Sequence, residues 1–172
     1  VWLDAGEQRL RQALEAARMG TWEWQVAADR VIWSPGLEAL HGLAPGAFAG
    51  TFEAFRQDVH PEDRDYVERT IAHTFEHGLD HRIEYRIALA DGTVRWVEGS
   101  GKLYRDEQGR PERMVGVCAD ITARKQAEAN LVVRARQQQA VASLGELALR
   151  ERELQTVFDE ATSAIARTLE IE

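Results

Sequence analysis

Residues 91–125, DGTVRWVEGSGKLYRDEQGRPERMVGVCADITARK, constrain the fold more than any other stretch of the chain. Asp91-Gly92 is a hairpin signal, because the tightest turn between twisted strands needs positive φ and glycine adopts it without steric cost. A second turn stands at Glu107-Gln108-Gly109. The runs 94–104 and 114–119 around it read as the return strand of the first hairpin and the last strand of the meander. The last run passes straight into Asp120-Ile121-Thr122, which opens a long helical pattern. A sheet feeding a helix with no flexible spacer suits a domain that passes strain along the chain.

The same period of two appears upstream, with Ile83, Tyr85, Ile87 and Leu89 on one face and Arg82, Glu84 and Arg86 on the other. Residues 21–26 alternate aromatic and polar side chains, and Asp29-Arg30 turns them into Val31-Ile32-Trp33, a first hairpin. Three helical segments are expected between these strands. Ser34 caps the first with Pro35 at its first position, and Thr51 caps the second, with Phe52 and Phe55 as apolar contacts. The third starts at His60-Pro61-Glu62-Asp63 and runs to Gly78. At the N-terminus Leu3, Leu10, Leu14 and Ala17 form the stripe of an amphipathic helix that Gly20 ends. The order predicts an α+β fold: a five-stranded antiparallel sheet with short helices on one face, flanked by the N-terminal helix and a long C-terminal helical extension. The expected units are residues 1–19, 20–122, 123–149 and 150–172.

Composition narrows the function. A net charge of -8, with no stripe of Lys and Arg, excludes a nucleic-acid binder. A single cysteine, Cys118, leaves no disulfide framework and fits a reducing, cytoplasmic setting. No apolar run approaches the ~20 residues of a membrane span, and no signal peptide is visible. The chain reads as an excised piece of a longer protein, with an output domain elsewhere in it. No Gly-rich phosphate loop, Ser/His/Asp order or metal motif is present, so the segment itself is expected to be regulatory and not an enzyme.

Five pieces in order resemble a PAS domain: Gly20-Thr21-Trp22-Glu23-Trp24, His60-Pro61-Glu62-Asp63-Arg64, Glu84-Tyr85-Arg86, Asp91 through Val97, and Gly116 through Lys125. The resemblance implies a sensory or dimerisation module of the kind found in bacterial histidine kinases, cyclic-dinucleotide enzymes and phosphatases. Beyond Lys125 a loose seven-residue register runs through Ala127, Leu131, Arg134, Gln138, Val141, Gly145 and Ala148. Residues 150–153 interrupt the apolar pattern, and Leu154, Val157, Phe158, Ala161, Ile165 and Leu169 then form a face similar to the first helix of a GAF domain.

The resemblance assigns Asp120, Ile121, Thr122 and Arg124 to signal relay. Asp120 is placed to accept from backbone N–H groups of the first helical turn, and Arg124 to pair with it. Leu3, Leu10, Leu14, Leu131 and Val141 are the expected helical interface of a parallel homodimer. Gly99, Gly101, Gly116 and the mid-strand Cys118 mark a candidate small-molecule cavity, because neighbouring glycines leave volume or permit close approach. Trp22, Trp24, Trp33 and Trp96 are candidate walls of it, or core. His73 and His77 stand at i, i+4, but no further ligand supports a metal. Haem-binding relatives place their histidine deeper in this helix, near Val67 or Thr70, and light-sensing relatives carry their cysteine on a helix. Both patterns count against haem and flavin and leave the cofactor open. The alternative is a ligand-free structural dimerisation or spacer module.

Overall fold

The computed structural model describes residues 6, 8–9, 12–14, 16–78 and 80–169. Gly92 and Gly109 take φ of +83° and +78°, and each reverses the chain into an antiparallel pair. β3 (His81–Ala88) thereby pairs with β4 (Val94–Arg105), and β4 with β5 (Pro111–Asp120). β1 (Met19–Gln25) and β2 (Arg30–Trp33) form the N-terminal hairpin, and β1 docks against β5. The result is one antiparallel sheet in the order β2-β1-β5-β4-β3, the α+β architecture that the alternation predicts.

Three helices connect β2 to β3: α1 (Pro35–Leu40), α2 (Phe52–Asp58) and, after a 3-10 turn at Pro61–Asp63, α3 (Arg64–His77). Ser34 both caps and stitches. Its hydroxyl accepts from Leu37 N–H at 3.4 Å and from Thr21 N–H at 2.9 Å, which ties the start of α1 to β1. Thr51 caps α2 through Ala54 N–H at 3.1 Å, a contact worth about 1 kcal/mol. Gly78 ends α3 in the left-handed region, at φ 65°. The 3-10 turn is fastened to the sheet by Asp63, whose carboxylate accepts from Arg86 backbone N–H (2.8 Å), Nε (3.0 Å) and Nη2 (2.6 Å). Two separate pieces of the family pattern, His60-Pro61-Glu62-Asp63-Arg64 and Glu84-Tyr85-Arg86, are therefore one contact.

The inner face of the sheet carries the core. Ile83, Tyr85 and Ile87 of β3, Val97 of β4 and Cys118 of β5 pack with Leu37, Leu40, Val59 and Val67 from the helical side. Gly20 departs from the sequence expectation. It lies inside β1 and does not end a helix; the chain turns at Ala17 and Arg18, with Arg18 at φ 52°. A Cβ at Gly20 would stand 2.4 Å from the backbone of Leu37, so the glycine is there to let α1 lie against β1. Of the expected N-terminal helix, residues 6, 8–9, 12–14 and 16 are helical; Leu14 is half-buried, and Leu3 and Leu10 lie outside the described residues.

The chain divides into two units, Val1–Lys125 and Gln126–Glu172. α4 (Thr122–Leu169) is one unbroken helix, so residues 150–153 interrupt its apolar pattern but not its backbone. In the second unit Leu131, Val141, Leu144, Leu154 and Phe158 are each more than half exposed. Among the described residues no helix is long and apolar enough to cross a membrane.

Candidate functional site: an aromatic cavity and the sheet-to-helix junction

Between the inner face of the sheet and the three short helices lies a cavity of about 60 Å³. Trp22 and Trp24 of β1 form one wall, Trp33 and His41 an end, and Phe52, Phe55 and Ile71 the helical side. Alternation sends every second side chain of a strand to this face, which is why Gly99, Met114 and Cys118 also line it. Gly101 and Gly116 do not line it, contrary to the sequence expectation. Cβ atoms there would stand 2.7 Å and 2.5 Å from the Trp22 ring, so the two glycines make the bed on which that indole lies. Trp96 is the other correction: it faces the opposite side of the sheet, and the cavity uses Trp22, Trp24 and Trp33 alone of the tryptophans named as walls.

The walls are interlocked by ring contacts. Trp24 stacks on Phe52 and Phe75 at centroid distances of 4.7 and 5.4 Å, and Trp33 on Phe48 at 3.6 Å. Polar groups at the cavity are mostly paired. His41 Nδ1 lies 3.0 Å from Asp58 Oδ2, and the Tyr85 hydroxyl is hydrogen-bonded to the Cys118 thiol. Burial pushes that thiol up to about 12, which makes Cys118 a small buried hydrophobe and not a nucleophile. Burial also pushes the Tyr85 phenol well up and holds His81 below its ordinary value. Among the described residues Trp24 Nε1 is a buried side-chain donor with no acceptor.

At the end of β5 the start of α4 is held to β4 through Trp96. Its backbone N–H donates to Thr122 Oγ1 (3.0 Å), and its carbonyl accepts from Ile121 N–H (2.9 Å) and from the Thr122 hydroxyl (3.4 Å). Asp120 Oδ1 accepts from Thr122 N–H at 2.8 Å, closing the turn that starts the helix. Arg124 reaches the sheet: its Nη2 lies 2.7 Å from Glu84 and 3.4 Å from Glu98. Lys125 Nζ adds a contact to Glu84 at 2.6 Å and lies 5.0 Å from the Trp96 ring centroid. Glu84 and Glu98 are direct cross-strand partners, an arrangement that repels unless cations stand between the carboxylates. The hydrogen bonds from Lys125 and then Arg124 lower Glu84 to about 2.

Sequence reasoning missed Trp96, Glu84, Glu98 and Lys125 as members of this junction. The signal was present in the alternation: Glu84 and Glu98 share the face opposite Tyr85 and Val97, and a helix leaving β5 on that side must meet them. The histidines carry no metal arrangement. His73 and His77 stack at 4.1 Å, His77 Nδ1 bonds His73 O, and among the described residues no three ligand-type side chains cluster. His60 Nδ1 accepts from Glu62 N–H at 3.4 Å, within its own turn.

The family model for the PAS fold matches residues 30–118, just over half of the chain. The chain belongs to the PAS fold family. The chain is similar to Sensor protein FixL of Bradyrhizobium diazoefficiens, 27% identical over 131 residues, covering 76% of this chain and 26% of that protein. It is also similar to the probable diguanylate cyclase DgcE of Escherichia coli, 27% identical over 119 residues, covering 69% of this chain and 11% of that protein. The chain thus spans 26% and 11% of the length of these two relatives. Among solved structures, a sensory box histidine kinase/response regulator from Burkholderia thailandensis superposes with a TM-score of 0.67 at 27% identity, covering 76% of this chain and 98% of that one.

Proposed function

We propose that this PAS domain is a sensory and dimerisation module whose sheet drives the start of α4. A change in the cavity moves the strands, and Asp120, Ile121, Thr122 and Arg124 convert the movement into a change of helix pairing. The carrying observation is the grip on Trp96: both backbone polar groups of one β4 residue are bonded to the first residues of the helix. β4 also contributes Gly99 to the cavity, so one strand touches both the sensing and the transmitting side. The second copy pairs in parallel through α4, with Leu131 and Val141 in the seam and Leu14 of the N-terminal helix joining the interface. The similarity to a sensor protein and a probable diguanylate cyclase supports an output domain elsewhere in the parent chain, and the single cysteine, Cys118, fits a cytoplasmic site of action.

The test is a pair of measurements on the intact chain. Sedimentation reports the oligomer, and spin labels on Leu131→Cys and on Val141→Cys report the separation of like positions. A dimer with short like-to-like distances is expected, and Thr122→Val, which removes the hydroxyl contacts to Trp96, is expected to alter those distances without unfolding the sheet. A monomer refutes the pairing, and an unaltered distance distribution refutes the relay.

A further inference from the structure

The polar atoms around the cavity describe what it takes. Its lining contains no Arg, Lys, Asp or Glu. The two histidines supply no free charge: His41 faces Asp58 at 3.0 Å, and burial disfavours the protonated form of His81. An anion would therefore leave its charge uncompensated, which costs far more than a neutral group does, and a cation would find the ring faces of Trp24 and Trp33 already stacked on Phe52, Phe75 and Phe48. An entirely apolar ligand would leave the Trp24 indole N–H without an acceptor, although buried donors are nearly always paired.

His81 supplies the complementary function. The Thr74 hydroxyl donates to Thr70 O at 3.1 Å, so its lone pairs face His81 Nδ1, also at 3.1 Å. With the hydroxyl proton on Thr70 O, the neutral ring that satisfies this contact is the one with its proton on Nδ1 and its lone pair on Nε2. Trp24 and His81 both meet the C-terminal end of α3, the first by stacking on Phe75 and the second through Thr74. The volume of about 60 Å³ accommodates a few water-sized groups at ~10–15 Å³ each and is well under the ~150 Å³ of a cavity that admits benzene.

We propose that the cavity binds a compact uncharged molecule of about four non-hydrogen atoms, of the amide or hydroxyl class, which accepts from Trp24 Nε1–H and donates to His81 Nε2. The inference rests on the cavity being the sensing site, and it names the chemistry of what is sensed there.

Four Y-shaped probes of nearly equal size separate the possibilities: acetamide (neutral, donor and acceptor), acetate (anionic), acetamidinium (cationic) and isobutene (apolar). The readout is the indole N–H resonances of the ¹⁵N-labelled intact chain. Acetamide is expected to shift the Trp24 indole resonance saturably and to bind about five- to a hundredfold more tightly than isobutene, the gain of two hydrogen bonds. Acetate and acetamidinium are expected to leave the resonance in place. Trp24→Phe keeps a ring between Phe52 and Phe75 and is expected to weaken acetamide about two- to tenfold, the loss of one hydrogen bond, while leaving isobutene unchanged. Equal binding of isobutene, preference for either ion, saturable binding that leaves the Trp24 resonance unmoved, or no binding at all overturns the proposal. The discrimination among probes by the unmodified chain stands even if the variant fails to fold. If acetamide binds as expected while labels on α4 do not respond, the relay fails and the ligand chemistry survives.

Discussion

The junction between the sheet and α4 makes a quantitative claim about the pair Glu84 and Lys125. Glu84 receives Lys125 Nζ at 2.6 Å and Arg124 Nη2 at 2.7 Å, and stands directly across from Glu98. At the surface each charge pair near 4 Å is worth about 1 kcal/mol in water. Two attractions less one repulsion from Glu98 leave about 1 kcal/mol for the charge on Glu84. The side chains are 31% and 26% exposed, and holding two flexible chains in place offsets part of the attraction. The expected coupling of Glu84 with Lys125 is thus about 0.5–1 kcal/mol, the upper part of the range for exposed pairs. A double-mutant cycle of Glu84→Gln and Lys125→Met measures it, because the loss of the Lys125 contact with Trp96 is common to both arms and cancels. Urea unfolding of the four proteins should be run at low salt and at 1 M NaCl, where the screening length falls to ~3 Å and the coupling should shrink several-fold. The coupling should also fade in acid. A carboxylate whose pKa is lowered in the fold contributes stability that is full above the unfolded value of 4.5 and is lost as pH falls through the folded one. A coupling of zero at low salt, one unchanged by salt, or one unchanged between pH 7 and pH 2 would refute the reasoning.

Three further outcomes follow from the packing. Gly116→Ala places a methyl 2.1 Å from Ser100 O and 2.5 Å from the Trp22 ring and should destabilise by about 1–3 kcal/mol or more in thermal unfolding, whereas Gly145→Ala, in open space on α4, should be neutral or stabilising by up to about 1 kcal/mol. Cys118 should resist a thiol reagent such as Ellman's reagent in the native protein and react on denaturation, since its thiol is buried and pushed to about 12. Because burial lowers His81, the unfolded chain binds a proton that the folded one refuses just below pH 6.5, so native stability should fall as pH drops through that region; His81→Phe should flatten that part of a stability profile measured by urea titration.

The sheet was legible because its alternation and turn residues act locally: Asp91-Gly92 and Gln108-Gly109 need only their own φ values to reverse the chain. The caps at Ser34 and Thr51 were legible for the same reason. What escaped the sequence depends on partners far along the chain. Gly20 reads locally as a helix terminator, yet its cause is Leu37 pressing on it from α1. Gly101 and Gly116 read as space, and the space belongs to Trp22. Asp120 and Thr122 announced a junction by their pattern, but its anchor, Trp96, lies 26 residues before Thr122 and gives no sign of its face except strand parity. Arg124 reads locally as a partner for Asp120, while the contacts to Glu84 and Glu98 require β3 and β4 to be assembled first.

The close approach of α1 to β1 also divides the cavity into a hard side and a soft side. With Gly20 against the Leu37 backbone and a Cβ at Gly36 only 3.2 Å from Met19 O, backbone meets backbone with no side chain between to act as a cushion. Trp22, Trp24 and Leu37 therefore belong to one plate. Phe52, Phe55 and Ile71 face that plate through side chains alone, Phe52 by stacking on Trp24, and side chains slide over one another at smaller cost than backbone. An occupant larger than the resting volume would lift α2 and α3 like a hinged cover. The cover is clasped to β3 by Asp63 and Arg86, so its displacement would be felt first as a pull on the strand that also holds Glu84.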